Sequence, residues 1–346
     1  MKSIRAALLA IALAPLLSEG AFLDDLAAKS NRTQESPFAT GGDIILKISS
    51  REYVHIFTNV NEESTFQLKE RSIARILCVG GGGPGGRSQR EVPGGGGGAG
   101  GFVEKNDVML TAGMYAIEVG KGGVPSASTV VNNSGGESAV KRGGTDIVRA
   151  HGGGGGGSPY DWNALRDYNT DSRYGRDGAS GGGACAWNHT DTSGIGGNAL
   201  YEGVEGHRGG LAKVATAAGN NYLAAGGGGA GQEGYNSYDP TYPCKGGDGK
   251  PCDITGEELW YAGGGAGGFK FHNSLKNNSV GGLGGGGSVK SSASAIAASD
   301  AVPGTGGGGY GGTHLNGSNI SVGNGADGIV IVRVVRAAEG FKVIVR

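Results

Sequence analysis

Net charge is nearly absent from this sequence. Across 346 residues, 30 Lys and Arg face 31 Asp and Glu, and all charged residues together make up 18% of the chain. No positive field exists to draw in phosphate, which excludes a basic nucleic-acid binder. A highly charged disordered chain is excluded too, because 37% of the residues are hydrophobic. Metal and nucleophile motifs are missing as well. The four cysteines show no C-x-x-C spacing, and the six histidines show neither H-x-H nor H-E-x-x-H. The paired acids Asp24-Asp25 and Glu257-Glu258 read as solvated surface. No catalytic constellation emerges, and no enzyme, cofactor or metal is expected.

Glycine is what the sequence has in excess, at 76 residues. It is clustered rather than placed every third residue, which excludes collagen. Pure or nearly pure runs occur at 80–83, 94–98, 152–157, 181–183, 226–229, 263–265, 284–287 and 306–309. Their spacing is uneven, so the chain is not a solenoid of fixed repeat. Glycine is poor in helices and ordinary strands. A flexible linker is the plain reading of such runs. Against it stand their purity, their recurrence and the strong strands at both ends of the region.

Those strands alternate with period two: Tyr53–Phe57, Thr65–Leu68, Ile73–Val79 and Met114–Val119. Gly328–Val335 is a continuous apolar run that predicts a central strand buried on both faces. Burying it against Ile73–Val79 forces the intervening chain to return. Ordered Gly runs would be polyproline-II helices, with three residues per turn and no internal hydrogen bonds. Each N–H and C=O would then need a partner on a neighbouring run. The expected fold is mostly β: an antiparallel framework of N- and C-terminal strands capped onto a bundle of polyproline-II helices, with little α-helix.

The N-terminus reads as a secretory signal over residues 1–20. Lys2 and Arg5 are followed by the apolar stretch Ala6–Leu17 and then by Ser18, Gly20 and Ala21. The rival is an uncleaved anchor, but the stretch falls short of the ~20 residues that span a bilayer. Residues 21–40 are a polar lead-in, a short helix or a linker. Residues 41–335 form one domain, with strands within 44–79, at 114–119 and at 328–335, and the Gly runs between 80 and 312. Residues 336–346 hold a last strand, Phe341, Val343 and Val345 on one face, which is a template for pairing with a neighbour.

A secretory route favours disulfides. Cys244 and Cys252 flank a tight Gly-rich turn, so a local bridge is expected there, leaving Cys78 and Cys185 to pair. Four cysteines nevertheless allow three connectivities. Asn-x-Ser/Thr sequons place N-glycans at Asn31, Asn132, Asn188, Asn277, Asn316 and Asn319 if the source is eukaryotic. Inserts rich in aromatics carry Trp162, Tyr168, Tyr174, Tyr235, Tyr238 and Tyr242, residue types used by recognition surfaces. They serve equally well as caps on the ends of a Gly bundle. Gly80, Gly82 and Gly85 match G-x-G-x-x-G, but no helix follows as a dinucleotide site requires. Gly120-Lys121 has neither the Ser/Thr nor the helix of a P-loop. Asp-Gly and Asn-Gly turns at Asp248, Asn324 and Asp327 lack the ligand count of an EF-hand.

Several segments in order resemble a family. They are Tyr53–Thr58, Ser64–Leu68, Ile76–Gly83, Gly94–Gly101, Ala112–Gly123, Asp253–Gly256, Tyr261–Gly268, Thr305–Gly312 and Gly328–Arg333. This set resembles the glycine-rich domain of phage tail fibres and adhesins, found also in bacterial, giant-virus and algal surface proteins. The resemblance covers about 41–334 and implies a β-framework on polyproline-II Gly helices. The cysteines, sequons and signal depart from the phage pattern and point to an exported surface or matrix protein of a eukaryote. Two functions follow as expectations. One is a secreted structural glycoprotein that assembles with itself into a filament, hair or coat. The other is an adhesin that binds a glycan or cell surface through the aromatic loops. Ice binding needs a flatter, more regular face than these Gly runs and threonines offer.

Overall fold

The computed structural model describes residues 21–29, 36–89, 92–125, 134–159, 174–185, 194–213, 223–238, 244–271, 278–291, 296–315, 318–319 and 321–336. One helix, α1 (Ala21–Lys29), precedes β1 (Ala39–Thr40), β2 (Ile44–Ser49), β3 (Glu52–Phe57), β4 (Ser64–Leu68), β5 (Ser72–Val79), β6 (Phe102–Leu110), β7 (Gly113–Glu118), β8 (Ser138–Arg142) and β9 (Thr145–Ala150). Short strands follow: β10 (Lys250–Cys252), β11 (Leu259–Tyr261), β12 (Lys270–Phe271), β13 (Asn278–Ser279), β14 (Ser288–Ser291), β15 (Ile296–Ser299), β16 (His314–Leu315) and β17 (Ser318–Asn319). The last is β18 (Ile329–Arg336). The protein is therefore mostly β, with antiparallel pairing throughout except between β12 and β16.

Two five-stranded sheets form a sandwich, with strand orders β1-β4-β7-β8-β9 and β2-β3-β18-β5-β6. β18 sits in the centre of the second sheet, with Val332 opposite His55 on one side and Ile76 on the other. Its alternation sorts the core. Val330, Val332 and Val334 join Phe57, Phe66, Tyr115, Ile117 and Val140 between the sheets. Ile329 and Ile331 point the other way, into a second cluster with Leu77, Val79 and Ile254. There α1 covers the sheet with Phe22 and Leu26, both buried, and Phe22 meets Tyr261 edge to face at 5.7 Å. Each fully buried side chain of this size contributes about 1.5–3 kcal/mol.

Strands β6, β8 and β9 were not evident in the sequence. β6 carries Glu104-Lys-Asn-Asp107, and its ladder with β5 slips between Ala74 and Ile76 while Asp107 adopts a φ of 54°. The β8–β9 hairpin turns at Gly143-Gly144, with φ of 56° and 80°. Positive φ at both central residues matches the twist of the flanking strands, so Gly-Gly here is a turn rather than a Gly run.

Beyond the sandwich the Gly runs form a buried, hydrogen-bonded array. Run 94–101 shows its logic. Gly94, Gly97 and Gly100 donate to the carbonyls of Gly312, Gly309 and Gly306. Gly95, Gly98 and Gly101 donate to Gly157, Gly154 and His151, and Gly96 and Ala99 to Ala225 and Gly228. The carbonyls behave alike. Gly94 and Gly97 accept from Gly268 and Gly265; Gly95, Gly98 and Gly101 accept from Gly86, Gly83 and Gly80; Gly96 and Ala99 accept from Gly183 and Ser180. Partners recur every third residue, and the run is surrounded by six others. Contact is backbone to backbone: a Cβ at Gly97 would lie 2.1 Å from Gly83 O, and one at Gly96 would lie 2.1 Å from Gly265 O.

Two buried polar residues tie the array to the sandwich. Ser138 Oγ donates to Val79 O at 2.7 Å and accepts from Gly120 N at 2.9 Å. Glu205 accepts through Oε2 from His151 N at 2.9 Å, and its carbonyl accepts from Phe102 N at 3.0 Å.

Candidate functional site

Chain direction divides the array into two poles. Run 80–86 leaves β5 and run 94–101 returns to β6, so 87–93 lies at the pole away from the sandwich. Residues 119–125, 151–159 and 306–313 likewise lead outward, while 134–137 and 321–328 lead back. Hydrogen bonds orient the rest. Ser180 to Ala99 and Gly183 to Gly96 make 180–183 antiparallel to 94–101, so it runs outward. Gly265 to Gly97 and Gly268 to Gly94 do the same for 262–268. Ala225 and Gly228 accept from Gly96 and Ala99, so 223–231 runs inward.

The consequence is a strong asymmetry. The described residues that flank 126–133, 160–173, 186–193, 214–222, 239–243 and 272–277 all lie at the distal pole. Those that flank 292–295 and 316–317 lie there too. The sandwich pole is closed by short described turns such as 199–205 and 283–285. Trp162, Tyr168 and Tyr242 fall outside the described residues, in stretches whose flanks are distal. So do Asn132, Asn188, Asn277 and Asn316. Asn319 is described, in β17 at the same pole. Asn31 also falls outside the described residues, between α1 and β1. This convergence was not legible in the sequence, because it depends on the direction of every run.

Of the remaining candidate aromatics, Tyr238 is exposed, with Lys213 Nζ 4.4 Å from its ring centroid. Tyr235 is half-buried, with Lys245 Nζ at 5.3 Å from its ring. Lys245 in turn holds Asp248 at 2.9 Å, and Asp248 Oδ1 also accepts from Leu283 N at 2.9 Å. Tyr174 is half-buried where its run begins. Asp327 Oδ1 accepts from Gly122 N at 2.7 Å. The Asp-Gly turns thus spend their carboxylates on the array, and among the described residues no group of His, Cys, Asp and Glu is placed to hold a metal ion. The G-x-G-x-x-G match at Gly80, Gly82 and Gly85 also belongs to the array, where these N–H groups donate to Gly101, Ala326 and Gly323.

The expected Cys244–Cys252 disulfide is not formed, and Cys78 is a free thiol as well. The two faces of the second sheet explain part of this. Cys78 lies between the sheets, while Cys252 is in the opposite cluster with its Sγ 3.5 Å from Arg75 Nη2 and 3.8 Å from Glu104 Oε2. Cys244 starts an inward run at a φ of 65°, its carbonyl engaged by Gly267 N and Ser279 Oγ. The Gly-rich segment between Cys244 and Cys252 is a run of the array, not a turn that brings the two sulfurs together. Burial raises the thiols, Cys244 to about 12 and Cys252 to about 11.

Phe341, Val343 and Val345 also lie outside the described residues. The described chain ends at Arg336, whose N–H donates to Arg51 O at 2.9 Å.

A β-sandwich that carries a hydrogen-bonded array of glycine runs defines a glycine-rich domain. The glycine-rich domain model matches residues 58–335, and the chain belongs to that family. No curated protein matches the sequence.

Proposed function

We propose that this is a non-enzymatic, secreted surface-binding module. Its Gly runs are polyproline-II helices bundled into a stiff support, and its distal pole recognises an extracellular glycan or cell-surface ligand. The polarity of the array supports this reading: the described residues that flank the inserts all lie at one pole. The threefold recurrence of hydrogen-bond partners supports the helix type, since polyproline II has three residues per turn and leaves every backbone group to an outside partner. Binding residues often sit on segments that a rigid scaffold positions. Processing after residue 20 would leave α1, which starts at Ala21, whole.

The test is a glycan-array screen with the full secreted chain, followed by Trp162→Ala, Tyr168→Ala and Tyr238→Ala. Loss of a specific signal in these variants, with unchanged thermal stability, is the expected result. A signal indifferent to all three overturns the reading.

A second reading, self-assembly into a filament or coat through the terminal segment, is favoured by one observation. The sandwich pole exposes apolar side chains beside the residue where that segment begins.

A further inference from the structure

Charge is segregated along the array, although the chain as a whole is nearly neutral. The described part of the turn 87–93, together with the described residues within three positions of the distal inserts, includes Arg87, Arg176, Lys213, Lys245, Lys270 and Lys290 and no Asp or Glu. Turns at the sandwich pole carry Glu202, Glu205 and Glu233 instead. A surface lined by one sign of charge raises the local concentration of the opposite one. The distal cations are not equivalent. Lys245 is paired with Asp248 at 2.9 Å, and Lys270 is buried. Lys213 is exposed and forms no ion pair among the described residues. Its ammonium lies 4.4 Å from the ring centroid of Tyr238, a residue that is 45% exposed. The two segments that carry this pair are stapled together. Asn236 Oδ1 accepts from Leu211 N at 2.7 Å, Ser237 Oγ accepts from Lys213 N at 3.1 Å, and Ser237 N donates to Leu211 O at 3.0 Å. The adjoining inserts, 214–222 and 239–243, hold one charged residue between them, Asp239.

We propose that Lys213 and Tyr238 form a subsite for an acidic sugar, a pyranose that bears a carboxylate or a sulfate. The inference rests on the distal glycan reading above and names its ligand class. Each residue has its own task. The exposed ring offers an apolar surface to the C–H face of the sugar, and the ammonium beside it pairs with the acidic group. The cation–π contact already holds the ammonium at the ring, so less side-chain freedom is lost when the ligand arrives. The Asn236 and Ser237 staples fix the backbone from which both side chains project, as a binding pair requires. A neutral sugar would use the ring alone. It would also cover the ammonium without giving it a partner, which costs free energy. The pair therefore discriminates in favour of the acidic ligand.

The test titrates the full secreted chain with sialylated, uronic-acid and sulfated oligosaccharides, each beside its neutral parent, at low and at physiological salt. The carboxylated and sulfated arms tell which acid is preferred. The acidic member of a pair is expected to bind more tightly, and its affinity to fall as salt screens the contact. Lys213→Gln is expected to weaken it by about tenfold or more, and Lys213→Arg, which keeps the charge, to retain most of it. Lys69→Gln removes an equal charge from an exposed site just after β4 and is expected to change nothing. Acidic and neutral sugars bound alike, or an acidic sugar bound equally well by Lys213→Gln, overturn the subsite and leave the distal reading standing. Poly-glutamate bound as tightly as the acidic sugars also overturns it, since that is bare ion exchange. Binding of no glycan at all overturns the distal reading and the subsite with it.

Discussion

Glu205 holds His151 at two points: Oε2 accepts from the backbone N–H at 2.9 Å, and Oε1 lies 3.0 Å from the ring Nδ1. Tyr201 lies against the same ring, with centroids 5.0 Å apart. The carboxylate is buried and occupies the space beside Gly101, where a Cβ would come within 2.4 Å of it. Residue 205 belongs to a turn of the array, while residue 151 leaves the end of β9. One side chain therefore fastens the array to the sandwich. Removing it strands the half-buried N–H of His151, and an unsatisfied buried group costs about 1–3 kcal/mol. Glu205→Ala is expected to lower stability in urea unfolding by that amount. Glu205→Gln, which keeps an acceptor for His151 N, is expected to lose less. Equal losses would mean that the charge, rather than the acceptor, does the fastening.

Close approach within the array gives a sharper prediction. At Gly97 a methyl group would sit 2.1 Å from Gly83 O. A backbone carbonyl bonded on both sides cannot move away cheaply. Gly97→Ala is expected to cost about 3 kcal/mol or more by overpacking, seen as a lowered unfolding midpoint or as insoluble protein. Gly143 is the control. It has open space around its Cβ and a φ of 56°, a conformation that Asn tolerates. Gly143→Asn is expected to stay within about 0.5 kcal/mol of the parent. If Gly97→Ala were equally harmless, the run would not be packed as described.

These contacts show what the sequence can and cannot reveal. The central place of β18 was legible because Ile329–Val332 is apolar without alternation, the mark of a strand buried on both faces. Alternation likewise exposed β3, β4, β5 and β7. β6 was hidden by its charged middle and by the bulge at Ala74/Ile76. The β8–β9 hairpin was hidden because its Gly-Gly turn looked like the many other glycines. The array is a different case. Glycine has no side chain to carry a pattern, so which run lies against which is absent from local sequence. The distal convergence of the inserts was unreadable for the same reason. The expected Cys244–Cys252 bridge failed because short spacing in sequence was taken for closeness in space.

Buried thiols lead to a third prediction. Desolvation opposes the thiolate, the reactive species, and raises Cys78, Cys244 and Cys252 alike. At pH 8 the native protein is expected to react negligibly with a thiol reagent, and the denatured protein to react at all four cysteines. Reductant is expected to leave the melting temperature unchanged. A drop of several degrees on reduction would reveal a disulfide and refute the thiol assignment.

The last prediction concerns acid. His55 lies between the sheets, its ring 5.1 Å from Phe66 in a tilted edge contact, with Nδ1 2.7 Å from Gly41 O. A carbonyl only accepts, so Nδ1 carries the proton and donates it. Protonation would therefore fall on Nε2, which is buried and has no hydrogen-bond partner. Burial lowers the folded-state pKa below the ordinary value of 6.5, outweighing the opposite effect of the Gly41 bond. The sign follows from linkage. At pH below 6.5 the unfolded chain binds a proton that the folded chain resists, so stability falls as pH falls. The contribution is fully present above 6.5, declines as pH drops through the window between the unfolded and folded values, and levels off below the folded one. Urea midpoints measured from pH 7.5 to 4.5 are expected to fall on acidification, and His55→Gln is expected to flatten that part of the profile. A slope unchanged by the substitution would assign the acid sensitivity to another group.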